Sequence, residues 1–369
     1  MPKIYEIYGR DPSDKADNTL NERKAAYCPY TESLCDGGGN RHQTKIKLEG
    51  SELRQAFDNE LKSVVPGICS IESGGDAWIV CPRRLLGFDS KPNGVPALNA
   101  SLKQHEKDAL IKAGLPQNIE LGVWPEVYLK FNIEDTSINY HFDFVIAPIQ
   151  RNKTMRWLLE KYGVNEQDMI EDLVAAAKLG GYFNGRYDPD KTLTVAPDLE
   201  GPVIVEVMTA STSGSNTEAG TNIASAFADL ISGRNHNCPG INKRQVWGRM
   251  ATQLFAKSAL AKAWGGKTIW LVQDQLLRNI EQTTKLNLSH EKTSMKEETI
   301  NFLSMSYRDG EKGVSALEFS RYIEKPAGLN FDGKGCAVDI LLPKMEPDKS
   351  ELLKAVLRRK LSAIISLCS

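Results

Sequence analysis

The stretch GPVIVEVMTAS, residues 201–211, constrains the fold more than any other part of the chain. Val203, Ile204, Val205 and Val207 are β-branched, and such a run reads as a buried strand. Glu206 sits inside it. A carboxylate on a buried strand is costly unless something pairs with it, so this strand must run past a group that holds the charge. Two residues on, on the same face of the strand, stands Met208.

At 369 residues the chain is long enough for one large or two medium domains. Its 41% apolar and 25% charged residues are those of an ordinary globular protein. No apolar run approaches the roughly 20 residues of a membrane span. The opening Met1-Pro2-Lys3-Ile4-Tyr5-Glu6 has no apolar signal core. Both features predict a cytoplasmic protein with no membrane partner. The net charge of −1 demands no polyanionic partner and excludes none, because a DNA-binding cleft needs local positive charge. Seven cysteines without a secretion signal read as free thiols or metal ligands before they read as disulfides.

Along the chain, residues 45–64 have helical spacing, with Leu53, Phe57 and Leu61 on one face. AWIVCP (77–82) is a strand stopped by Pro82, and residues 101–115 form a helix. EVYLKFNI (126–133) and YHFDFVIAPI (140–149) are strands joined by a polar turn. Two helices follow within 150–195, then the strand around Glu206, then a small-residue loop leading into the helix NIASAFADLIS (222–232). A long helix over 243–266 precedes a buried strand, KTIWLVQDQLL (267–277), and the chain ends in a basic helix over 349–368. Strands and helices alternating around one short apolar sheet predict an α/β or α+β class, with no internal repeats.

Asp143 is a second carboxylate framed by strand formers, and Glu126 opens the strand before it. If these strands are neighbours, two or three carboxylates converge. They would raise one another's pKa unless a cation sits among them, and hard oxygen ligands favour Mg²⁺ or Mn²⁺. Such a site activates water and stabilises charge on a phosphate under hydrolysis. The plain alternative has Glu206 on an edge strand in solvent and Asp143 paired with an arginine.

Cys28 and Cys35, and Cys69 and Cys81, cluster early in the chain but lack C-x-x-C spacing. They read either as small core residues or as ligands of a closed tetrahedral site for Zn²⁺ or Fe. Pro29 and Pro82 bend the backbone away from helix at two of the thiols. Cys238, Cys336 and Cys368 are scattered and read as structural. WGGKT (264–268) is a helix-to-strand turn rather than a phosphate loop, since Ala261 stands where that loop needs glycine. His141, two residues from Asp143, reads as a neighbour of the acid rather than as a nucleophile's base, and His236 as a loop residue.

The order YCPY, SLC, GIC and WIVCPRRLL, followed by PEVYL, YHFDF and VIVEVM, resembles the NotI-like type II restriction endonucleases of the PD-(D/E)xK nuclease superfamily. The resemblance runs from about residue 27 to residue 270. It implies an α/β nuclease core, a central mixed sheet flanked by helices, with an N-terminal metal-binding module built on four cysteines. In that pattern Cys28, Cys35, Cys69 and Cys81 match a structural site that holds iron, with zinc the other metal such thiols suit. Asp143 and Glu206 match the two Mg²⁺-binding carboxylates, and Glu126 an additional active-site acid. Arg249, Gln253 and Lys257 match a similarly spaced trio, and their i, i+4, i+8 spacing puts them on one helix face.

Two departures stand out. Met208 occupies the position where the superfamily carries lysine and the NotI pattern glutamine, and a thioether neither donates a proton nor carries charge. Either the metal activates water unaided, or Lys257 or Gln253 reaches the site from its helix, or activity is lost. The stretch between Asp143 and Glu206 is also longer than the family pattern, and its helices over about 150–195, with Arg151, Lys153, Arg156 and Lys161, read as an inserted DNA-contacting or dimer element.

The resulting expectation is a Mg²⁺-dependent, site-specific endonuclease that hydrolyses double-stranded DNA as a homodimer, with a cognate DNA methyltransferase protecting the host. Its domains would be a DNA-positioning module over 1–100, a nuclease core over 101–290 and a C-terminal extension over 291–369. Arg83, Arg84, Lys243, Arg244 and Arg249 are the expected DNA contacts, with Arg358, Arg359 and Lys360 further candidates. The competing expectations are a DNA-binding protein on a degenerate nuclease core, which Met208 favours, and a zinc-ribbon regulatory protein whose acids are structural.

Overall fold

The computed structural model describes residues 1–39, 42–88, 97–98, 102–133, 136–212, 214–283, 299–308, 311–326 and 347–367. Its centre is a nine-stranded mixed sheet. The main strands are β4 (Glu120–Ile133), β5 (Thr136–Gln150), β6 (Val203–Met208), β7 (Lys267–Gln273), β8 (Thr299–Tyr307), β9 (Leu317–Pro326) and β10 (Ala363–Ser366). They lie in the order β9-β8-β7-β6-β5-β4-β10, with the short strands Ala97–Leu98 beside β10 and Ala196–Pro197 beside β5.

Strands β6, β7 and β8 run parallel, and parallel strands need cover on both faces. That explains why residues 203–207 and 268–273 are buried without alternation. One face is covered by α1 (Gln104–Lys112), through Ala109, Leu110 and Ala113. On the other, α5 (Lys243–Ala263) lies along the sheet beside α4 (Ile223–Ile231) and α6 (Asp274–Thr283). Toward β4 that face is covered by α2 (Met155–Lys161), α3 (Gln167–Leu179) and α7 (Lys349–Leu357). The helices expected over 150–195 are thus α2 and α3, and they bury Leu158, Leu173 and Ala177 in the same core as Val127 and Phe142.

A smaller antiparallel sheet precedes the large one: β1 (Lys3–Ile7), β2 (Ile68–Ser73) and β3 (Asp76–Ile79). It is stitched to the C-terminal ends of β6 and β7. The Gln273 side chain accepts from Ile79 N at 2.9 Å and donates to Ala77 O at 2.6 Å, while Ala210 N donates to Ile79 O at 2.9 Å.

Three elements differ from expectation. Residues 45–64 hold only a 3₁₀ turn, Glu52–Ala56, between two-residue strands, because Gly50 takes φ +70° and Arg54 ties the loop by donating to the carbonyls of Phe57 and Leu61. Leu53 and Phe57 still reach the core. The strand of KTIWLVQDQLL stops at Gln273, and Asp274 opens α6. The terminal helix stops at Leu357, and the β-branched pair Ile364–Ile365 joins β4 as the strand β10. Residues Thr299–Tyr307, Leu317–Pro326 and Ala363–Ser366 therefore build strands of the central sheet. No helix among the described residues is long and apolar enough to cross a membrane.

Candidate active site

β5 and β6 pair antiparallel through Ile146–Val203, Val145–Ile204 and Phe144–Val205. One step beyond the last pair come Asp143 and Glu206. There the backbone ladder gives way to a side chain: Val207 N donates to Asp143 Oδ2 at 2.8 Å. Asp143 is half-buried and Glu206 is 2% exposed.

Across the sheet, Lys257 rises from the middle of α5 and places Nζ 2.5 Å from Glu206 Oε2. Lys257 is itself buried, with Nζ 5.8 Å from the centre of the Phe142 ring. Burial pushes the Glu206 carboxyl up to about 8, and the charge of Asp143 pushes the same way against the opposing pull of Lys257. Its second oxygen, Oε1, is buried with no hydrogen-bond partner among the described residues. A carboxylate beside another carboxylate, with an unused oxygen out of water, is chemically suited to a divalent cation.

Glu126 does not close on this pair. Among the described residues no three His, Cys, Asp or Glu side chains converge as a metal site. The β4–β5 ladder runs from Phe142–Val127 to Phe144–Pro125 and omits the pair between, where Glu126 takes φ +51°. Glu126 Oε2 instead meets His141 Nδ1 at 3.3 Å, both about half exposed. Gln253, one turn before Lys257, is exposed. Met208 is partly buried against the apolar cluster that contains Trp270 and Val272.

The four N-terminal cysteines are free. Cys28 and Cys69 pack together with Cys35 at their edge. Several backbone N–H groups point at sulfur: Gly9 N lies 3.3 Å from Cys69 Sγ, those of Tyr30 and Thr31 bond Cys28, and that of Arg83 bonds Cys81. The hydrogen bond from Cys35, helped by Thr31, lowers the Cys28 thiol to about 6, while burial and the nearby thiol of Cys28 raise Cys81 to about 12. Gly38, at φ +63°, leaves room that a Cβ would fill 2.6 Å from Cys81 Sγ. Thiols solvated by amides in a glycine-lined cradle are a donor set that zinc or iron accepts, although as placed they are not assembled around a common centre.

The expected DNA contacts divide. Arg83 is partly exposed and pairs with Asp36 at 3.2 Å. Arg84 is fully buried and cannot touch a surface ligand: it holds Glu6 at 2.9 Å, with its guanidinium over the rings of Tyr30 and Tyr307. This corrects its assignment, and the reason is that Glu6, on an inner position of β1, would otherwise be an unpaired buried charge. Lys243 Nζ sits 4.1 Å from the Trp78 ring centre. The side chains of Arg244 and Arg249 lie outside the described residues. Arg358 and Lys360 are exposed, whereas Arg359 is half-buried and donates to Pro125 O at 3.1 Å. Cys238 is buried, and Cys336 and Cys368 lie outside the described residues.

Sequence reasoning missed two polar assemblies. Glu6 also accepts from Tyr307 Oη at 2.6 Å and Gly313 N at 2.7 Å, tying the small sheet to the β8–β9 hairpin. Asp274 pairs with Arg278 at 2.6 Å and with Arg321. No local pattern announces a partner 301 residues away, as Tyr307 is from Glu6. Compared with protein-family models, curated proteins and solved structures, the chain matches none.

Proposed function

We propose that this protein is a Mg²⁺-dependent endonuclease that hydrolyses double-stranded DNA at specific sites, in the manner of a type II restriction enzyme. The observation that carries the reading is the buried Lys257–Glu206 pair beside Asp143 at the point where β5 and β6 part. A strand-end acid pair with an amine is the equipment that phosphodiester hydrolysis asks for.

Asp143 and Glu206 would hold the cation, which when bound supplies a Lewis acid for the phosphate and acidifies water. Lys257 supplies what Met208 cannot: a cation fixed against Glu206, able to offset charge building on phosphorus and to oppose the upward push of burial on the carboxyl. Gln253, on the same helix and exposed, suits orientation of the attacking water or of the phosphate. Cys28, Cys35, Cys69 and Cys81 would hold iron or zinc as a structural brace. A homodimer matching a palindromic site, and a methyltransferase that protects the host, belong to the same reading.

A second reading keeps DNA binding and drops catalysis. It is favoured by Met208 and by the 2% exposure of Glu206. Unmethylated phage DNA incubated with the protein and Mg²⁺, beside an Asp143→Ala control, decides between them. Discrete fragments that vanish in the control support cleavage at this site. Intact DNA that is still retained by the protein in Ca²⁺ supports the second reading, and fragments in both lanes refute the assignment of Asp143.

A further inference from the structure

β4 and β5 outrun their neighbours. β10 pairs with β4 only over Glu120–Val123, and β6 pairs with β5 only over Phe144–Ile146. From Glu126 and Asp143 outward, as far as Ile133 and Thr136, the two strands pair only with each other among the described residues. One face of this ribbon is closed: Val127, Leu129, Phe131 and Phe142 are buried in the core that holds α2 and α3. The opposite face is apolar at its root, where Leu121, Val123, Phe144 and Ile146 join the cluster that α1 covers. Beyond Asp143 that cover stops.

Three rungs then stand in water: His141 opposite Tyr128, Asn139 opposite Lys130, and Ser137 opposite Asn132, with all six residues exposed. A solvated face needs only to be polar, and opposite charges across a rung would add stability to it. These rungs hold one full cation and no carboxylate, and Lys130 faces an amide. The side chains of Lys130, Asn132 and Asn139 have no hydrogen-bond or ion-pair partner among the described residues. Tyr128 and His141 hold each other, ring centres 5.9 Å apart, and His141 is tied to Glu126 at the root. The ribbon is thus fixed at its base and carries unspent donors and acceptors further out.

Its width and reach fit the major groove of a duplex. That groove admits a two-stranded ribbon, and in it asparagine bonds adenine and lysine bonds guanine through paired contacts. At about 3.3 Å per residue, Asn139 stands about 13 Å along β5 from Asp143. That is roughly four base steps of about 3.4 Å. The residues between the strands, Glu134 and Asp135, are acids that phosphates repel, so the contact lies on the face and not at the tip.

We infer that the exposed face of this ribbon lies in the major groove beside the scissile phosphate and selects the sequence that is cut, with Asn139 reading adenine and Lys130 guanine. The inference rests on the nuclease reading above and names the part of the chain that gives that activity its specificity.

The test retains randomised duplexes on the full-length protein in Ca²⁺ and sequences the bound fraction, for wild type, Asn139→Ala, Asn139→Asp and Lys130→Ala. All three variants change exposed side chains, and circular dichroism checks the folding of each. The expected wild-type motif has adenine and guanine positions within about six base pairs of the cut that Mg²⁺ produces. Asn139→Ala should lose about tenfold or more of the discrimination at one adenine, and Lys130→Ala as much at one guanine. Asn139→Asp should move the preference at its position towards cytosine, whose amino group a carboxylate accepts. Affinity of Asn139→Ala for unrelated sequences should hold, since no phosphate contact is removed.

A wild-type motif that persists in all three variants overturns the inference and leaves the nuclease reading standing. A loss in Asn139→Ala spread evenly over all sequences also overturns it, because that is the mark of a phosphate contact. Wild type that retains duplex without any preferred motif removes the reading role of the ribbon. Wild type that binds no duplex at all takes away the nuclease reading, and this inference with it.

Discussion

Lys257 Nζ and Glu206 Oε2 meet 2.5 Å apart, 51 residues distant in sequence, with both side chains at most 5% exposed. A buried pair of this kind is strongly coupled: taking away one partner leaves an uncompensated charge out of water, at a cost of roughly 3–5 kcal/mol, whereas replacing both by apolar groups is often neutral.

Glu206→Gln and Lys257→Ala should each lower stability by about 3 kcal/mol or more. The double variant Glu206→Leu/Lys257→Met should recover most of that loss and yet cleave no DNA. Urea unfolding gives the first quantity and single-turnover cleavage the second. Cleavage by the double variant would remove this pair from the chemistry.

Arg84 and Arg83 are neighbours in sequence with opposite environments, and their variants should separate cleanly. Arg84→Ala strands Glu6 in the core and should destabilise by roughly 3–5 kcal/mol without altering the salt dependence of DNA binding. Equal effects on salt dependence from Arg84→Ala and Arg83→Ala would contradict the burial of Arg84.

Two adjacent residues on α1 should give stability opposite dependences on pH. Burial, followed by the charge of Arg84, holds His105 down at about 3 from its usual 6.5, so its contribution is present near neutrality and is lost as pH falls through that interval. Burial holds Glu106 up at about 7 from 4.5, against the N–H groups of Gly87 and Lys103, so its contribution is present in acid and is lost as pH rises. Between pH 4.5 and 6.5 the two nearly cancel in the wild type. Over that interval the stability of Glu106→Gln should climb with pH, and that of His105→Leu should fall. Denaturant midpoints at several pH values check both slopes, and parallel slopes would refute the assignment.

Gly38→Ala tests the cysteine cradle. The added Cβ would stand 2.6 Å from Cys81 Sγ at a backbone φ of +63°, where side chains are strained. Metal bound per chain, measured by elemental analysis after purification, should drop well below that of wild type. A full complement of metal in this variant would show that the four thiols do not share an ion.

Much of the site was legible because strand chemistry is local. The β-branched run around Glu206 and the strand formers around Asp143 announce two buried strands with carboxylates, and the apolar period over 243–266 announces the helix that carries Gln253 and Lys257. Whether Lys257 belonged to a solvated stripe or to the core was not legible, because that depends on α5 lying across β6, a tertiary contact. The fate of Glu126 was hidden for a similar reason: a positive φ in mid-strand breaks the ladder opposite Asp143 and leaves no mark in composition. Arg83 and Arg84 read as one basic pair, and only the position of Glu6, 78 residues before Arg84, tells them apart.

The amide of Gln273 bonds the edge of β3 as another strand would, donating to Ala77 and accepting from Ile79. A seam that depends in part on one side chain at the end of β7 makes the first 88 residues a poor cassette for exchange. Grafted onto another sheet, they would need a glutamine at the matching strand end, or their edge amides would go unpaired. Engineers wishing to swap this segment should therefore move Gln273 with it.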